Sequence, residues 1–275
     1  MPSAELATGP TVNYVRRGSG EPLLLIQGMG GNHLSWGEPF LAELERDFDL
    51  VAYDHRGVGR SSRVTDPFSI VELADDAAAL LDELGWDTAH VVGISMGGMV
   101  AQELALRHPD RIRTLTLGCT YCGGEGSALT SNEVFSKLAE AMMSGDPDRA
   151  IATSYEVNVS PGYGADKSAY ATFYEMATAL PTAVPVIMLQ AQAVQAHDTL
   201  ERLGEIKVPT LVVHGTVDEM LPFSNAVLIA SRIPGAQLER LDEVGHMFWW
   251  EQPERSAAAI RGLVQRGSEA APRLA

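Results

Sequence analysis

Cysteine is nearly absent from this chain: 275 residues contain two, Cys119 and Cys122. A lone Cys-x-x-Cys lacks the two further ligands that a zinc site needs. A redox pair should open a helix, whereas Gly123 and Gly124 follow here, so both read as free thiols with no metal and no cofactor expected. Positive charge is scarce as well, with 20 Lys and Arg against 36 Asp and Glu and a net charge of −16. Nucleic acid and anionic membrane surfaces would be repelled by that average field, and polyanionic substrates are disfavoured. Long apolar runs are missing too: nothing approaches the roughly 20 residues that span a bilayer, and residues 1–10 lack the basic and apolar regions of a secretion signal. A cytoplasmic globular protein with a small-molecule partner is expected, without nucleic acid or membrane, its oligomeric state left open and a homodimer included. What is present is 45% apolar residues, ample for the interior of one large α/β domain or a core with an insertion.

The chain is organised around Val91-Val92-Gly93-Ile94-Ser95-Met96-Gly97-Gly98-Met99-Val100, where an apolar run breaks at a glycine-flanked serine and resumes as a helix. A Gly-x-Ser-x-Gly can arise by chance in a glycine-rich chain. Its setting between a strand and an amphipathic helix is what makes it a nucleophile elbow. Gly93 and Gly97 permit the sharp turn that exposes the Ser95 hydroxyl, and the Met96 amide at the helix start points to where an oxyanion would form.

Along the chain, residues 11–17 alternate like an exposed strand, and Gly18-Ser19-Gly20 turns into a compact buried strand at 22–26, expected to pair with it antiparallel. The loop Gln27-Gly28-Met29-Gly30-Gly31-Asn32 follows, then a helix near 35–46. A strand at 49–53 ends in Asp54-His55-Arg56-Gly57-Val58-Gly59-Arg60-Ser61-Ser62, a turn that Asp54 and Arg56 are expected to tie together. A helix at 70–84 is closed by Gly85. Strands at 89–94 and 111–118 flank the elbow helix. This alternation predicts a parallel sheet covered on both faces. From 120 to 207 the β pattern vanishes, and helices near 133–144, 147–157, 167–180 and 184–197 predict an inserted helical cap between core segments 1–119 and 208–275. The sheet resumes at 210–214 and 237–241, with helices near 225–233 and 253–265 and a tail expected to fray from Gly267.

Ligands in open α/β sheets sit beyond the carboxyl ends of strands, so a base and an acid are sought there. The strand at 210–214 leads to Asp218, and that at 237–241 to His246. Ser95, Asp218 and His246 thus occur in the chain order of elbow-type hydrolases. His246 would accept the Ser95 proton, and Asp218 would fix the imidazole tautomer and stabilise the imidazolium. Alone, a histidine after a strand is commonly structural and an aspartate in a turn commonly caps backbone; together at consecutive strand ends they form a candidate relay. His55 and His214 are weaker candidates for the base, and Glu219 is the reserve acid.

These segments resemble the α/β-hydrolase superfamily, in its esterase, enol-lactonase and proline-iminopeptidase-like branch. The resemblance rests on Gly93-Ile94-Ser95-Met96-Gly97-Gly98, the Asp54-to-Ser61 turn, Asp218 after His214-Gly215, and Gly245-His246 followed by Glu251-Gln252-Pro253-Glu254, and it covers nearly the whole chain. It implies a mostly parallel eight-stranded sheet with helices on both faces and the helical cap. It also implies that Met29, in the loop after the third strand, gives the second oxyanion amide. Gln27 departs from the histidine usual in relatives, which bears on the loop's supporting hydrogen bonds. Aspartate-nucleophile chemistries of the same fold are disfavoured by Ser95.

Gly28 and Gly30 allow a ligand close to the backbone. Met142, Met143, Phe173, Tyr174, Met176 and Met188, with Trp249 and Trp250 beyond the base, are candidates for an apolar pocket, against the plainer reading that they pack the cap on the core. Lys137, Arg149, Lys167 and Arg202 read as solvated helix faces, leaving no evident anchor for a substrate carboxylate. The expected activity is hydrolysis of a neutral ester or lactone through an acyl-enzyme. Carbon–carbon bond hydrolysis, iminopeptidase activity, perhydrolysis and a ligand receptor without turnover stay open as alternatives.

Overall fold

The computed structural model describes the backbone of residues 1–270 and the side chains of residues 1–267. Eight strands form one sheet: β1 (Ser3–Glu5), β2 (Thr11–Arg17), β3 (Glu21–Ile26), β4 (Phe48–Tyr53), β5 (Ala89–Ile94), β6 (Ile112–Gly118), β7 (Thr210–Gly215) and β8 (Gln237–Leu241), in the spatial order β1-β2-β4-β3-β5-β6-β7-β8. From β4 to β8 every pairing is parallel, while β1 and β2 run antiparallel to their neighbours. The expected pairing of 11–17 with 22–26 is corrected: β2 pairs β4, with Tyr14 opposite Tyr53 and Arg17 opposite Leu50. Leu23, Leu24, Leu25 and Ile26 are all fully buried, and such a wholly apolar strand belongs inside a sheet covered on both faces, here between β4 and β5. β2 carries Arg16 and Arg17, which reach out to Asp49 and to Glu38 and Glu45.

The two-residue period of a strand divides β3 between two cores. Leu24 and Ile26 pack with α2 (Ile70–Glu83) and α3 (Met96–Arg107), and with α9 (Ser224–Arg232) further along the same face. Leu23 and Leu25 pack on the opposite face with α1 (Glu38–Leu44), α10 (Phe248–Glu251) and α11 (Pro253–Ala270). Local signals set the helix ends. Ser69 and Glu72 form a reciprocal capping box that starts α2, the Glu72 amide donating to Ser69 Oγ at 3.2 Å and the Ser69 amide to Glu72 Oε2 at 2.8 Å. The tail expected to fray from Gly267 is helical to Ala270, and residues 271–275 lie outside the described residues. The helix expected over 35–46 is a 3-10 turn, His33–Trp36, followed by α1; Gly37, at φ 71°, separates them.

Asp54 and Arg56 do not tie their turn to each other. Asp54 is fully buried and accepts from the His33 amide at 2.7 Å, the His33 ring at 2.9 Å and Asn13 at 3.3 Å, which fastens the β4 end to the segment after β3. Arg56 instead grips Asp76 of α2 through two hydrogen bonds. A buried carboxylate needs several donors, and the nearest ones here come from other segments.

Between β6 and β7 the chain carries α4 (Asn132–Met143), α5 (Pro147–Asn158), α6 (Pro161–Gly164), α7 (Lys167–Ala179) and α8 (Val184–Gln195). Asp146, Ser160 and Asp166 cap α5, α6 and α7 with their side-chain oxygens. Among the described residues, no single helix is long and apolar enough to cross a membrane.

Candidate active site

Ser95 stands between β5 and α3 at φ 53°, ψ −124°, a conformation that side-chain-bearing residues rarely adopt and that costs on the order of 1–3 kcal/mol. The flanking glycines make the turn possible. A Cβ on Gly93 would lie 2.2 Å from the Gly97 carbonyl oxygen, and one on Gly97 would lie 2.1 Å from that of Ile26. The Ser95 amide donates to the Gly118 carbonyl at 2.9 Å, and Thr120 Oγ1 donates to the Ser95 carbonyl at 2.6 Å, so the backbone is held while the side chain stays half-exposed. Ser95 Oγ has no hydrogen-bond partner among the described residues.

Strands β5, β6, β7 and β8 are consecutive neighbours, and their carboxyl ends carry Ser95, Cys119, Asp218 and His246 along one edge. Asp218 is buried; its Oδ1 accepts from the amides of Met220 at 2.8 Å and Leu221 at 2.9 Å, and its Oδ2 faces His246 Nδ1 at 2.7 Å. The carboxylate accepts, so Nδ1 carries the proton and the His246 Nε2 lone pair is left as the acceptor. Burial alone would raise the Asp218 pKa, but the imidazoles of His246 and His214 outweigh it and hold the carboxyl well below its ordinary value. His214 Nε2 lies 3.0 Å from Asp218 Oδ2, yet its hydrogen bond goes to the Leu221 carbonyl at 2.9 Å, so it supports the acid's loop and is not the base. Glu219 points to solvent. Neither Ser95 Oγ nor His246 Nε2 bonds the other; in ligand-free enzymes such bonds are often long and tighten with substrate.

Cys119 is the member of this edge that sequence reasoning missed. Its thiol is buried within hydrogen-bonding reach of the Ser95 backbone, and burial followed by the Asp218 charge pushes it well above its ordinary pKa, so it stays protonated. Cys122 is buried as well, with its thiol pushed up to about 11 by the same desolvation and the nearby Asp198.

In the loop after β3, the Gly28 amide donates to the Gln27 side chain at 2.8 Å, the Gly30 amide to Gln190 Oε1 at 2.8 Å, and the Gly31 amide to the Gly28 carbonyl at 3.2 Å. The Met29 amide has no partner among the described residues, and neither does that of Met96 at the start of α3. A Cβ on Gly28 would come 3.0 Å from Ser95 Cβ, which places this loop against the serine. Gln27 therefore supplies a loop acceptor through its side-chain oxygen. His55 holds the same residue's carbonyl through Nε2 at 3.0 Å, and its burial lowers its pKa, so it is a neutral prop.

Among the described residues the apolar candidates are dispersed, so an apolar pocket is a matter for the substrate series and not an observation. Met143 is 78% exposed at the end of α4, Met142 is exposed beside it, and Met188 is 56% exposed on α8. Tyr174 bonds Asp148 on the outer surface. Trp249 is core: its indole donates to the Ser35 carbonyl at 3.0 Å and packs on Trp36 and Phe248. Phe173 is buried between Tyr155 and Trp250, and Met176 lines a groove with Val15, Leu34, Leu41 and Trp250. Helical spacing identifies an apolar face but not the neighbour it meets. The base loop is tied to the inserted segment, with the Gly245 amide and both donors of Ser160 on the Glu251 carboxylate and the Met247 amide on the Asn158 carbonyl.

Comparison with known proteins places the chain in a family. The profile of the alpha/beta hydrolase fold family matches residues 21–162. The chain is 32% identical over 237 residues to RutD of Azorhizobium caulinodans, provisionally named a carbamate hydrolase, covering 86% of this chain and 88% of that one. It is 31% identical to the poly(3-hydroxyalkanoate) depolymerase of Ectopseudomonas oleovorans, over 89% of this chain and 84% of the relative. The crystal structure of the esterase RhEst1 from Rhodococcus sp. ECU1013 superposes with a TM-score of 0.83 at 26% identity, covering 96% and 98% of the two chains.

Proposed function

The chain belongs to the alpha/beta hydrolase fold family, and from that premise we propose that it is a cofactor-free serine hydrolase cleaving a carboxylic ester or lactone through an acyl-enzyme. The observation that carries this reading is the 2.7 Å contact of His246 Nδ1 with Asp218, at the sheet edge where Ser95 stands on its elbow. Ser95 Oγ attacks the carbonyl carbon while His246 Nε2 takes its proton, and Asp218 stabilises the imidazolium. The negative charge moves to the carbonyl oxygen, met by the unpaired amides of Met29 and Met96. The intermediate collapses, the alkoxide leaves with the proton from His246, and water deprotonated by the same imidazole releases the acid and restores Ser95.

Residues 120–207 act as a cap over this edge, and the substrate is neutral and apolar. Lys137 is already paired with Glu156 and Arg202 with Glu103, so neither is free to anchor a carboxylate, and the net charge slows an anion's approach. A polyester depolymerase and an esterase among the similar proteins support a neutral ester. Similarity to RutD makes carbamates the second class to examine. The test is a series of p-nitrophenyl esters from acetate to hexanoate, with alkyl carbamates and a dicarboxylic lactone beside them. Each methylene buried contributes about 0.8 kcal/mol, so kcat/KM should rise about three- to fourfold per carbon until the pocket is full. Acetate as the best ester, with the dicarboxylic lactone faster than every neutral substrate, would contradict a neutral, apolar substrate.

A further inference from the structure

The loop that carries Met29 is held from the inserted segment as well as from the core. Gly28 to Gly31 form a tight turn closed by the Gly31 amide on the Gly28 carbonyl, with Gly30 at φ 72°. The Met29 N–H belongs to the peptide joining Gly28 to Met29, and the peptide joining Met29 to Gly30 follows it as the middle unit of that turn. The Gly30 N–H of this middle unit is bound by Gln190 of α8, a side chain with no exposed surface, at 2.8 Å. A carboxamide facing an N–H must present its oxygen, so the orientation of Gln190 follows from chemistry. The carbonyl of Gly30 accepts from Thr182 Oγ1 at 2.8 Å, and Asn32, at the loop's end, donates to the Leu180 carbonyl at 2.8 Å. Three hydrogen bonds from residues 180–190 therefore fix a turn whose one unpaired amide is that of Met29.

We infer that Gln190 is a positioning residue for the hydrolysis: by pinning the Gly30 amide it fixes the turn, and with it the placement of the preceding Gly28–Met29 peptide, whose N–H faces the oxyanion. The inference rests on the acyl-enzyme reading and extends it, since it makes the insertion part of the apparatus for transition-state stabilisation. Leucine at 190 keeps the approximate volume and removes the acceptor. The Gly30 N–H is then left without its partner, and the turn is free to shift and carry the Gly28–Met29 peptide off the oxyanion. Loss of an oxyanion donor costs roughly 10²–10³ in kcat, and misplacement without loss costs less, so Gln190→Leu should lower kcat about 10- to 100-fold. Ground-state binding does not use the oxyanion contact, so KM should change less than about twofold.

The experiment compares wild type, Gln190→Leu, Thr182→Val and the double variant, each normalised to active sites titrated with a fluorophosphonate. kcat and KM are measured for p-nitrophenyl butyrate, with Ki for a chain-matched trifluoromethyl ketone, whose hemiketal oxyanion mimics the intermediate, and the melting temperature. Expected is a fall in kcat matched by a rise in Ki of the same factor, with KM held, and a double variant whose loss is smaller than the product of the single losses because both act on one residue. Wild-type kcat and Ki in a folded Gln190→Leu would overturn the inference, as would a change confined to KM or to melting temperature. If Gln190→Leu does not fold, Thr182→Val decides alone: a severalfold fall in kcat with a matching rise in Ki supports the inference, and unchanged values overturn it. A wild-type enzyme that is not labelled at Ser95 would instead overturn the acyl-enzyme reading, so the two failures are distinguishable.

Discussion

Replacing Asp218 with asparagine exchanges one carboxylate oxygen for an NH2 group and changes almost no volume, which isolates the electrostatic part of the relay. The two amides that hold Asp218 Oδ1, from Met220 and Leu221, can still donate to the asparagine carbonyl oxygen. That choice turns the new NH2 towards His246 Nδ1, where a 2.7 Å contact now joins a donor to a protonated nitrogen. The imidazole relieves the conflict by moving its proton to Nε2, the atom that must accept from Ser95. The negative charge opposite the developing imidazolium is lost too. By analogy with the same change in serine proteases, kcat should fall about 10⁴-fold, equivalent to about 5 kcal/mol in the barrier. Initial rates on p-nitrophenyl butyrate, with enzyme concentration fixed by active-site titration and folding checked by circular dichroism, measure it directly. Glu219 faces solvent and offers no rescue. A loss below tenfold would refute the role given to Asp218.

Gly97→Ala places a Cβ 2.1 Å from the Ile26 carbonyl oxygen and 2.6 Å from that of Gln27, both backbone atoms, so stability should fall by about 3 kcal/mol or more in denaturant titration. A midpoint equal to wild type would mean that the elbow does not need its glycine. Burial lowers the pKa of His197 from 6.5 to about 4, so between those values the unfolded chain binds a proton that the native chain does not. The stability it contributes is complete above pH 6.5 and falls by about 3 kcal/mol as pH drops towards 4. His197→Gln should remove that part of the slope, while His55 and His90, also lowered by burial, keep the rest. An unchanged slope in the variant would show that His197 is protonated in the native protein.

The elbow was legible because sterics leave few ways to write it: a serine at positive φ between two backbones about to collide needs small neighbours on both sides, and Gly93 and Gly97 announce them. Asp218 and His246 could be found because strand ends in a parallel sheet converge on one edge, whatever lies between them in sequence. The partner of a strand is a different kind of fact. β2 looked like half of a hairpin with β3, but β3 is apolar from Pro22 to Ile26 and sits inside the sheet, and β1, at three residues, is too short to show any period. Gln190 gave no signal that set it apart from Gln192 and Gln195 of the same helix, since its meaning depends on an amide 160 positions away. Asp54 and Arg56 looked like partners from proximity, yet a buried carboxylate and a guanidinium each chose donors or acceptors from other segments. The apolar residues of the insertion failed for the same reason, because periodicity gives a face and only the fold gives its neighbour.

Covalent labelling of Ser95 tests the central claim most directly. Treatment of the native protein with a fluorophosphonate, followed by peptide mass mapping, should give one adduct per chain, on the peptide containing Ser95, with turnover lost in proportion to labelling. Ser95→Ala should take up no label and show no turnover while keeping the melting behaviour of a folded protein, because the substitution removes only a hydroxyl that has no hydrogen-bond partner among the described residues. A folded Ser95→Ala variant that hydrolyses esters at the wild-type rate, or a native adduct on another residue, would contradict it.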